Sequence, residues 1–236
     1  MLKWTDFESQ FDESWHQWVK PIIESEKFAK AFNKLRIDGK TKTIIPSSKS
    51  GNLFRIFREV KYNDMVAVVV GLSPYNVIIN GVEVADGIAL SCSNTMKEQP
   101  SLTQWYNAME KEFGKDIIRN PDLSYLTKQG IFMYNYSLSC PKGEANGHLD
   151  VWEYFTRKLF EGAISEAEVP VISLGKEAEK VGQWITPWQV HYSLKHPASA
   201  AYSKTDWDSE GVFYSVEKQL LNRGVHISWV QRKDKF

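Results

Sequence analysis

The segment from Met65 to Asn76 constrains the fold more than any other stretch of this 236-residue chain. Its first half, MVAVVV, is a continuous apolar run, which is typical of a parallel strand buried on both faces. Its second half, GLSPYN, contains Gly71 and Pro74, two residue types that shape turns. Because parallel sheets hold ligands beyond the carboxyl ends of their strands, we expect this loop to line a binding site. An ordinary connection from a strand to a helix is the alternative.

Three later segments have the same character, and each brings a polar residue or a glycine to the end of an apolar run. They are GIFMYN at 130–135, VPVISLG at 169–175 and HYSLK at 191–195, which His196 follows. Amphipathic patterns between them predict helices, so strands and helices alternate along the chain. This order predicts an α/β fold, a three-layer sandwich in which helices flank a central four-stranded parallel sheet. Ser73, Asn135 and His196 would then lie at one edge.

The remaining patterns complete one domain over residues 1–236, whose first 40 residues form a helical segment with apolar residues three and four apart. The turn signal Asn80-Gly81 precedes the short segment 84–91, which we interpret as a minor strand. Gln99 and Pro100 open the next helix. A closing helix is expected from Gly211 to Asn222.

Equal numbers of acidic and basic residues, 29 of each, leave the chain without net charge at neutral pH. No overall field attracts nucleic acid, so DNA binding would need local groups of basic residues. Only two cysteines, no amino-terminal signal pattern and no membrane-length apolar run predict an intracellular protein that does not contact a membrane, cytoplasmic in a bacterial or viral setting or else nuclear. The His and Cys spacings match no metal-ligand pattern, so we expect no metal site.

Five short motifs occur in order along the chain. They are GLSPYN at 71–76, ADGIALS at 85–91, QPSL at 99–102, GIFMYN at 130–135 and HPAS at 196–199, accompanied by KGEA at 142–145 and WEYFT at 152–156. On these motifs the chain resembles the uracil-DNA glycosylases from about Ile45 to Gly224. The resemblance implies an enzyme of base excision repair that flips uracil out of DNA and hydrolyses its N-glycosidic bond without metal or cofactor. It also implies the same four-stranded fold.

The resemblance assigns three polar or aromatic residues to the base pocket. Asn135 matches the family's base-reading Asn, whose amide both donates and accepts hydrogen bonds and so distinguishes uracil from cytosine. Tyr75 matches the Tyr whose ring fills the space of a thymine methyl group. His196 matches the His that donates, as a neutral ring, to a base oxygen. Taken singly, each residue type is more often structural: an Asn caps a turn, and a Tyr or His packs.

The first motif departs from the family at its catalytic carboxylate. The family pattern is Gly-Gln-Asp-Pro-Tyr-His, and Ser73 stands in the place of its Asp. A hydroxyl carries no negative charge at neutral pH, so it cannot stabilise a positively charged sugar or act as a strong base on water. Asp86 in the neighbouring motif is the candidate substitute. Its alternative function is to form a turn before Gly87.

Other contacts implied by the resemblance are retained or changed. Leu72, Asn76 and Leu90 are expected to contact the base, and Leu90 replaces a stacking Phe. The residues expected to contact DNA are Ser101, Gly175, Lys176, Ser199 and Ala200. Ala200 occupies the position of the family's Leu wedge and is too short to fill the gap left by a flipped base. The segment 202–210 carries Trp207, which would be a different wedge, and three acidic residues that would instead turn this surface against DNA.

Three hypotheses follow. The first is a divergent DNA glycosylase that excises uracil or a modified pyrimidine, with single- or double-stranded DNA as its partner. The second is a homologue that has lost the reaction and binds DNA, a modified base or a protein partner in replication, repair or defence. The third, an unrelated nucleotide hydrolase, lacks a Gly-rich phosphate-binding fingerprint.

Overall fold

The computed structural model describes residues 2–233, so both ends of the predicted 1–236 domain lie outside it. The strands, numbered in chain order, are β1 Ile44–Ile45, β2 Ala67–Gly71, β3 Ile78–Ile79, β4 Val82–Glu83, β5 Ile117–Ile118, β6 Ile131–Asn135, β7 Cys140–Pro141, β8 Val171–Leu174, β9 His191–Leu194 and β10 Gln231–Arg232. None of the helices within these residues is long and apolar enough to cross a membrane. That the chain forms a single domain stays a prediction.

Helices precede, separate and follow the strands. They are α1 His16–Ile23, α2 Glu26–Asp38, α3 Ile56–Glu59, α4 Pro100–Phe113, α5 Ser124–Thr127, α6 Leu149–Leu159, α7 Ser165–Ala167, α8 Lys176–Glu179, α9 Pro197–Ser203 and α10 Val212–Leu221. Pro100 and Pro197 stand at the first helical positions, where a missing backbone N–H has no consequence. A π-helical turn continues α6 over Phe160–Ile164.

The central sheet has four parallel strands in the order β6-β2-β8-β9, which confirms the predicted fold class. Gly71 pairs with Asn135, and Leu174 pairs with Leu194. Because paired residues lie side by side, the carboxyl ends of the strands are level with one another. The loops that follow β2, β6, β8 and β9 therefore meet at one edge of the sheet, as the sequence predicted.

Aromatic packing holds the helices against this sheet. Phe132 and Tyr134 are two residues apart on β6 and so share a face, where Trp15 stacks on Phe132 at 5.0 Å between ring centroids and Phe57 packs edge-on at 5.3 Å. All four residues are fully buried. Burying each of these side chains contributes roughly 1.5–3 kcal/mol, so the amino-terminal helices stabilise the sheet directly.

One local prediction was wrong. Residues 84–91 form no strand, because this segment turns repeatedly around the buried side chain of Asp86. The short strands in this region are instead β3 and β4, joined by Asn80 (φ 50°) and Gly81 (φ 79°) in the left-handed conformation that suits a two-residue hairpin turn. Between residues 52 and 60 the α-helical structure is limited to α3, and turns precede it.

Candidate active site

A cavity of about 410 Å3 lies where the loops after β2, β6 and β9 meet. Nine of the predicted site residues line it: Leu72, Ser73, Tyr75, Asn76, Leu90, Ser101, Asn135, His196 and Ser199. None of the lining residues within the described chain carries a charged side chain. The cavity is therefore suited to an uncharged ligand with hydrogen-bonding edges.

Asn135 stands at the inner end of the cavity as the last residue of β6, and only 7% of it is exposed. Within residues 2–233 no hydrogen bond engages its side-chain amide, so both a donor and an acceptor remain available. Gly71 makes room for this amide, because a Cβ atom at position 71 would lie 2.8 Å from Asn135 Oδ1. A substitution at Gly71 would therefore displace the Asn135 side chain.

His196 begins α9, and its Nδ1 accepts a hydrogen bond from the backbone N–H of Ala198 at 3.1 Å. In the neutral ring the proton is therefore on Nε2, which is left as a donor. Burial lowers the pKa of His196 from 6.5 to about 4, so the ring is neutral at pH 7. Gly175 (φ 94°) permits this placement, because a Cβ atom there would approach His196 Cβ to 2.9 Å.

Tyr75 and Leu90 form adjoining walls of the cavity. The Tyr75 hydroxyl donates to the carbonyl oxygen of Leu90 at 3.1 Å, and burial raises the pKa of Tyr75 well above 10, so the hydroxyl keeps its proton. Leu90 adopts a φ of 64°, a conformation that costs of order 1 kcal/mol or more for a residue other than glycine. The Tyr75 hydrogen bond holds the strained turn and so fixes the relative position of both walls.

The structure argues against the prediction that Asp86 substitutes for the missing carboxylate. Its side chain is fully buried, lies outside the cavity lining, and accepts hydrogen bonds from the N–H groups of Ile88 and Ser93 at 3.0 Å and from the hydroxyls of Ser91 and Ser93 at 2.6 Å. Arg55 lies 3.5 Å from the same carboxylate. With its oxygens engaged in this way, Asp86 fastens its own loop, as the alternative interpretation had it.

The structure argues against two further predictions at the rim of the cavity. Ala200 is 6% exposed and does not line the cavity, so its methyl group offers little surface to DNA. Trp207 is also buried, stacks with Trp105 at 6.2 Å and donates through Nε1 to the carbonyl of Lys195 at 2.7 Å, so it cannot serve as a wedge. The exposed aromatic residue at the rim is Tyr202, which lines the cavity and is 88% exposed.

The other predicted DNA contacts and some unpredicted residues complete the rim. Lys176 is exposed at the start of α8, directly after Gly175. Ala145 and Asn146 line the cavity but were not predicted as site residues, although the KGEA motif at 142–145 pointed to this loop. Within residues 2–233, no three His, Cys, Asp or Glu side chains are grouped so as to hold a metal ion.

Curated relatives extend over most of the chain. The uracil-DNA glycosylase of Bacillus anthracis (strain CDC 684 / NRRL 3495) is 30% identical over 220 residues, which cover 91% of this chain and 94% of that protein. The uracil-DNA glycosylase of Alkaliphilus oremlandii (strain OhILAs) is 30% identical over 202 residues, 82% and 85% of the two chains. The chain belongs to the uracil-DNA glycosylase family. No general model of a protein family matches it.

Solved structures of this family share the fold. Mimivirus uracil-DNA glycosylase is 22% identical and superposes with a TM-score of 0.79, covering 92% of this chain and 86% of the other. Its Y322F variant, solved in complex with UGI, has a TM-score of 0.81 at 21% identity, covering 92% and 87%.

Proposed function

We propose that this uracil-DNA glycosylase family member is an active DNA glycosylase that takes uracil, or a modified pyrimidine, into the cavity and hydrolyses its bond to the sugar. One observation carries the proposal: an uncharged cavity offers the free amide of Asn135 and the neutral imidazole of His196 to the same ligand. A pyrimidine base fits within this space and matches its hydrogen-bonding character.

Asn135 and His196 divide recognition and catalysis between them. The Asn135 amide accepts from a ring N–H and donates to the neighbouring base oxygen, a pair that cytosine does not match. As the bond between base nitrogen and sugar carbon breaks, both electrons leave with the base, and the Nε2–H of His196 donates to the base oxygen that gathers this charge. Water then adds to the sugar carbon and supplies the proton that the base finally takes up.

Tyr75 and Leu90 exclude other bases by shape. The hydrogen bond between the Tyr75 hydroxyl and the Leu90 carbonyl fixes the phenol ring against one wall of the cavity. We propose that the ring occupies the space required by a thymine methyl group and that Leu90 provides an apolar surface for the base. Leu72 and Asn76 complete the loop that surrounds it.

Ser73 determines how fast this reaction is. Its hydroxyl lines the cavity and can hold a water molecule, but it offers no charge to a sugar that becomes positive as the base departs. With no carboxylate among the described lining residues, stabilisation of the leaving base by His196 is the main electrostatic contribution. We therefore propose a slow glycosylase rather than an inactive one, and the relatives favour this over the binding-only alternative.

DNA would approach across the rim. Ser199 is exposed on the cavity lining, and Lys176 is exposed directly after Gly175, so we propose that these two residues contact the phosphodiester backbone. Ser101 also lines the cavity but is buried, so we propose that it contacts DNA only at the everted nucleotide. Tyr202, the exposed ring at the rim, would then stack in the gap that an everted base leaves in double-stranded DNA.

The decisive experiment is incubation of the protein with uracil-containing single- and double-stranded oligonucleotides, followed by alkaline cleavage at abasic sites. Oligonucleotides with modified pyrimidines and with thymine or cytosine are run beside them. We expect cleavage at uracil or at a modified pyrimidine and none at thymine or cytosine. No abasic site with any of these bases would contradict the proposal.

The Ser73→Asp substitution tests the assignment of the sugar-facing position. A well-placed electrostatic group is worth roughly 3–4 kcal/mol in the barrier, so we expect the rate of base release to rise by a factor of about 10²–10³. Single-turnover assays with excess protein measure this rate. Ser73→Asn is the control, because it changes size without adding charge. An unchanged rate in Ser73→Asp would favour a protein that binds without cleaving.

A further inference from the structure

A second concavity, larger than the candidate active site, lies between the carboxyl-terminal half of α2 and the loop that follows it. Its volume is about 670 Å3, and residues 32–53 provide its lining. We call it the α2 groove. It shares no lining residue with the candidate active site among the described residues, and neither the reaction proposed above nor the motifs at 71–199 involve it.

The α2 groove has an apolar floor and a basic rim. Leu35, Ile44 and Leu53 contribute aliphatic surface, and Ile37 beside them is 54% exposed. The cationic lining residues are Arg36, Lys40, Lys42 and Lys49, and no acidic residue of the described chain lines the groove. Exposed aliphatic side chains surrounded by cationic ones are more typical of a binding surface than of a surface that contacts only water.

Three acidic residues near the α2 groove are held by an ion pair or by hydrogen bonds. Glu144 pairs with Lys42 at 2.9 Å, which is the ion pair that the described part of the chain provides for the groove cations. The carboxylate of Asp38 lies 3.3 Å from Nε2 of the buried His148. Glu83 accepts from the backbone N–H of Ser47 at 3.0 Å. Among the described residues, Arg36, Lys40 and Lys49 have no ion-pair partner, and no carboxylate lies in the groove lining beside them.

We propose that the α2 groove binds an acidic peptide segment of a partner protein, with apolar side chains of the peptide on the floor and its carboxylates at the rim. Charge complementarity of this kind speeds encounter and fixes the orientation of the partner, while the buried apolar contacts hold it. This inference does not depend on the catalytic proposal, because it concerns a different set of residues.

Nucleic acid is the less suitable occupant of the α2 groove. Single-stranded DNA is held by exposed aromatic faces on which its bases stack. Phe32 is the aromatic residue in the lining, but it is only partly exposed and already packs edge-on against Phe7 at 5.6 Å and Trp152 at 6.2 Å. Aliphatic side chains fit the apolar residues of a peptide better than they fit a stacked base.

The α2 groove is connected to the candidate active site through the backbone. Strand β1, which provides Ile44, pairs with β7, and the backbone N–H of Lys142 donates to the carbonyl of Thr43 at 2.8 Å. The loop after β7 then carries Glu144, the partner of Lys42, directly beside Ala145 of the cavity lining. Because the groove and the cavity do not overlap, a peptide bound in the groove would leave the cavity open.

Fluorescence polarisation with the full chain tests the proposal. The probe is a short fluorescein-labelled peptide in which Asp alternates with Leu and Phe. Two comparison probes are the same peptide with Ser in place of each Leu and Phe, and a labelled oligodeoxythymidine. We expect saturable binding of the first probe and clearly weaker binding of the all-polar peptide. No binding of the first probe would overturn the proposal.

Charge reversal locates the binding. The Lys40→Glu, Lys49→Glu double variant should weaken binding of the acidic peptide about tenfold or more, and Ile37→Asp should weaken it as well. The matched control is Lys128→Glu, Lys218→Glu, which reverses two exposed lysines outside the groove and should leave binding within about twofold. Equal losses in both double variants would overturn the assignment to the groove.

Two further readouts separate this inference from the proposed function. If the oligodeoxythymidine probe binds and loses affinity in Lys40→Glu, Lys49→Glu, the α2 groove is a nucleic-acid site and the peptide proposal is wrong. Base release from uracil-containing oligonucleotides is measured in the same variants. We expect it to remain unchanged while peptide binding falls. Failure of base release in every protein, with peptide binding intact, would contradict only the proposed function.

Discussion

The two ends of β9 carry the same residue type in opposite situations. His191 begins the strand, and burial lowers its pKa, yet its Nε2 is paired with the hydroxyl of Ser173 at 2.9 Å and its ring packs against Gly182. His196 follows the other end, and burial lowers its pKa too, but its Nε2 has no partner within the described chain and its ring lines the cavity. A low pKa alone does not identify a functional histidine. What differs is the hydrogen-bonding capacity left for a ligand.

The same distinction separates Asp86 from Asn135. Asp86 is the kind of residue that the reaction requires, but its oxygens are used by its own loop and by Arg55. Asn135 is also buried, but its amide is free within residues 2–233 and faces the cavity. We propose that the functional residues of this edge are those whose polar atoms the fold leaves unsatisfied at a cavity wall.

Removing the free imidazole should have the largest effect. His196→Ala removes the donor to the leaving base, and the loss of one such donor typically lowers the rate by about 10²–10³. The matched variant is His191→Ala, which deletes the paired histidine at the other end of β9 and should leave the single-turnover rate of the folded protein within about threefold. Equal losses of rate in the two variants would contradict the assignment of different functions to His191 and His196.

Asp86→Asn should affect stability rather than chemistry. An amide cannot accept all the hydrogen bonds that the carboxylate accepts, so we expect the free energy of unfolding to fall by roughly 1–3 kcal/mol. Urea titration followed by tryptophan fluorescence measures this change, and base release is compared at equal folded fractions. A large loss of base release with unchanged stability would instead identify Asp86 as a catalytic residue.

Tyr202→Ala should lower base release from double-stranded DNA by about tenfold, since stacking on an aromatic side chain is worth roughly 1–3 kcal/mol per base. Single-stranded DNA has no gap to fill, so its cleavage should change less. Tyr202→Phe keeps the ring and should retain activity, and Tyr214→Ala removes another exposed tyrosine, on α10, as the control. Equal losses with both DNA forms would contradict a stacking function.

The smallest expected effect is that of pH. With a pKa of about 4, the His196 ring stays mostly neutral at pH 5, so base release should change less than about twofold between pH 7.5 and 5. A histidine with the ordinary pKa of 6.5 would lose roughly thirtyfold over this range. The unfolded chain takes up this proton near pH 6.5 and the folded chain only near pH 4, so the free energy of unfolding falls as the pH drops between these values. Circular dichroism at each pH shows whether the protein remains folded.

The sequence predicted the sheet better than its loops. Strands β2 and β6 lie in long apolar runs, which few other structures accommodate, so both were located to within two residues. The segment 84–91 has a similar run of apolar residues but forms no strand, because Asp86 draws several backbone and side-chain donors around itself. This hydrogen-bonded cluster around Asp86 includes Arg55, which is distant in the chain, so no local sequence pattern predicts it.

The amino-acid sequence by itself determined the order of the four central strands along the chain and the edge at which their loops meet. It also predicted that Ser73, Asn135 and His196 lie together at this edge. It could do so because apolar periodicity and parallel pairing fix where each strand ends. Only the tertiary structure decided which polar atoms remain free: it buried Asp86, Ala200 and Trp207, exposed Tyr202, and opened the α2 groove. The direction of a side chain and the partners it meets depend on distant residues, and hydrogen bonds already made within the protein are not available to a ligand.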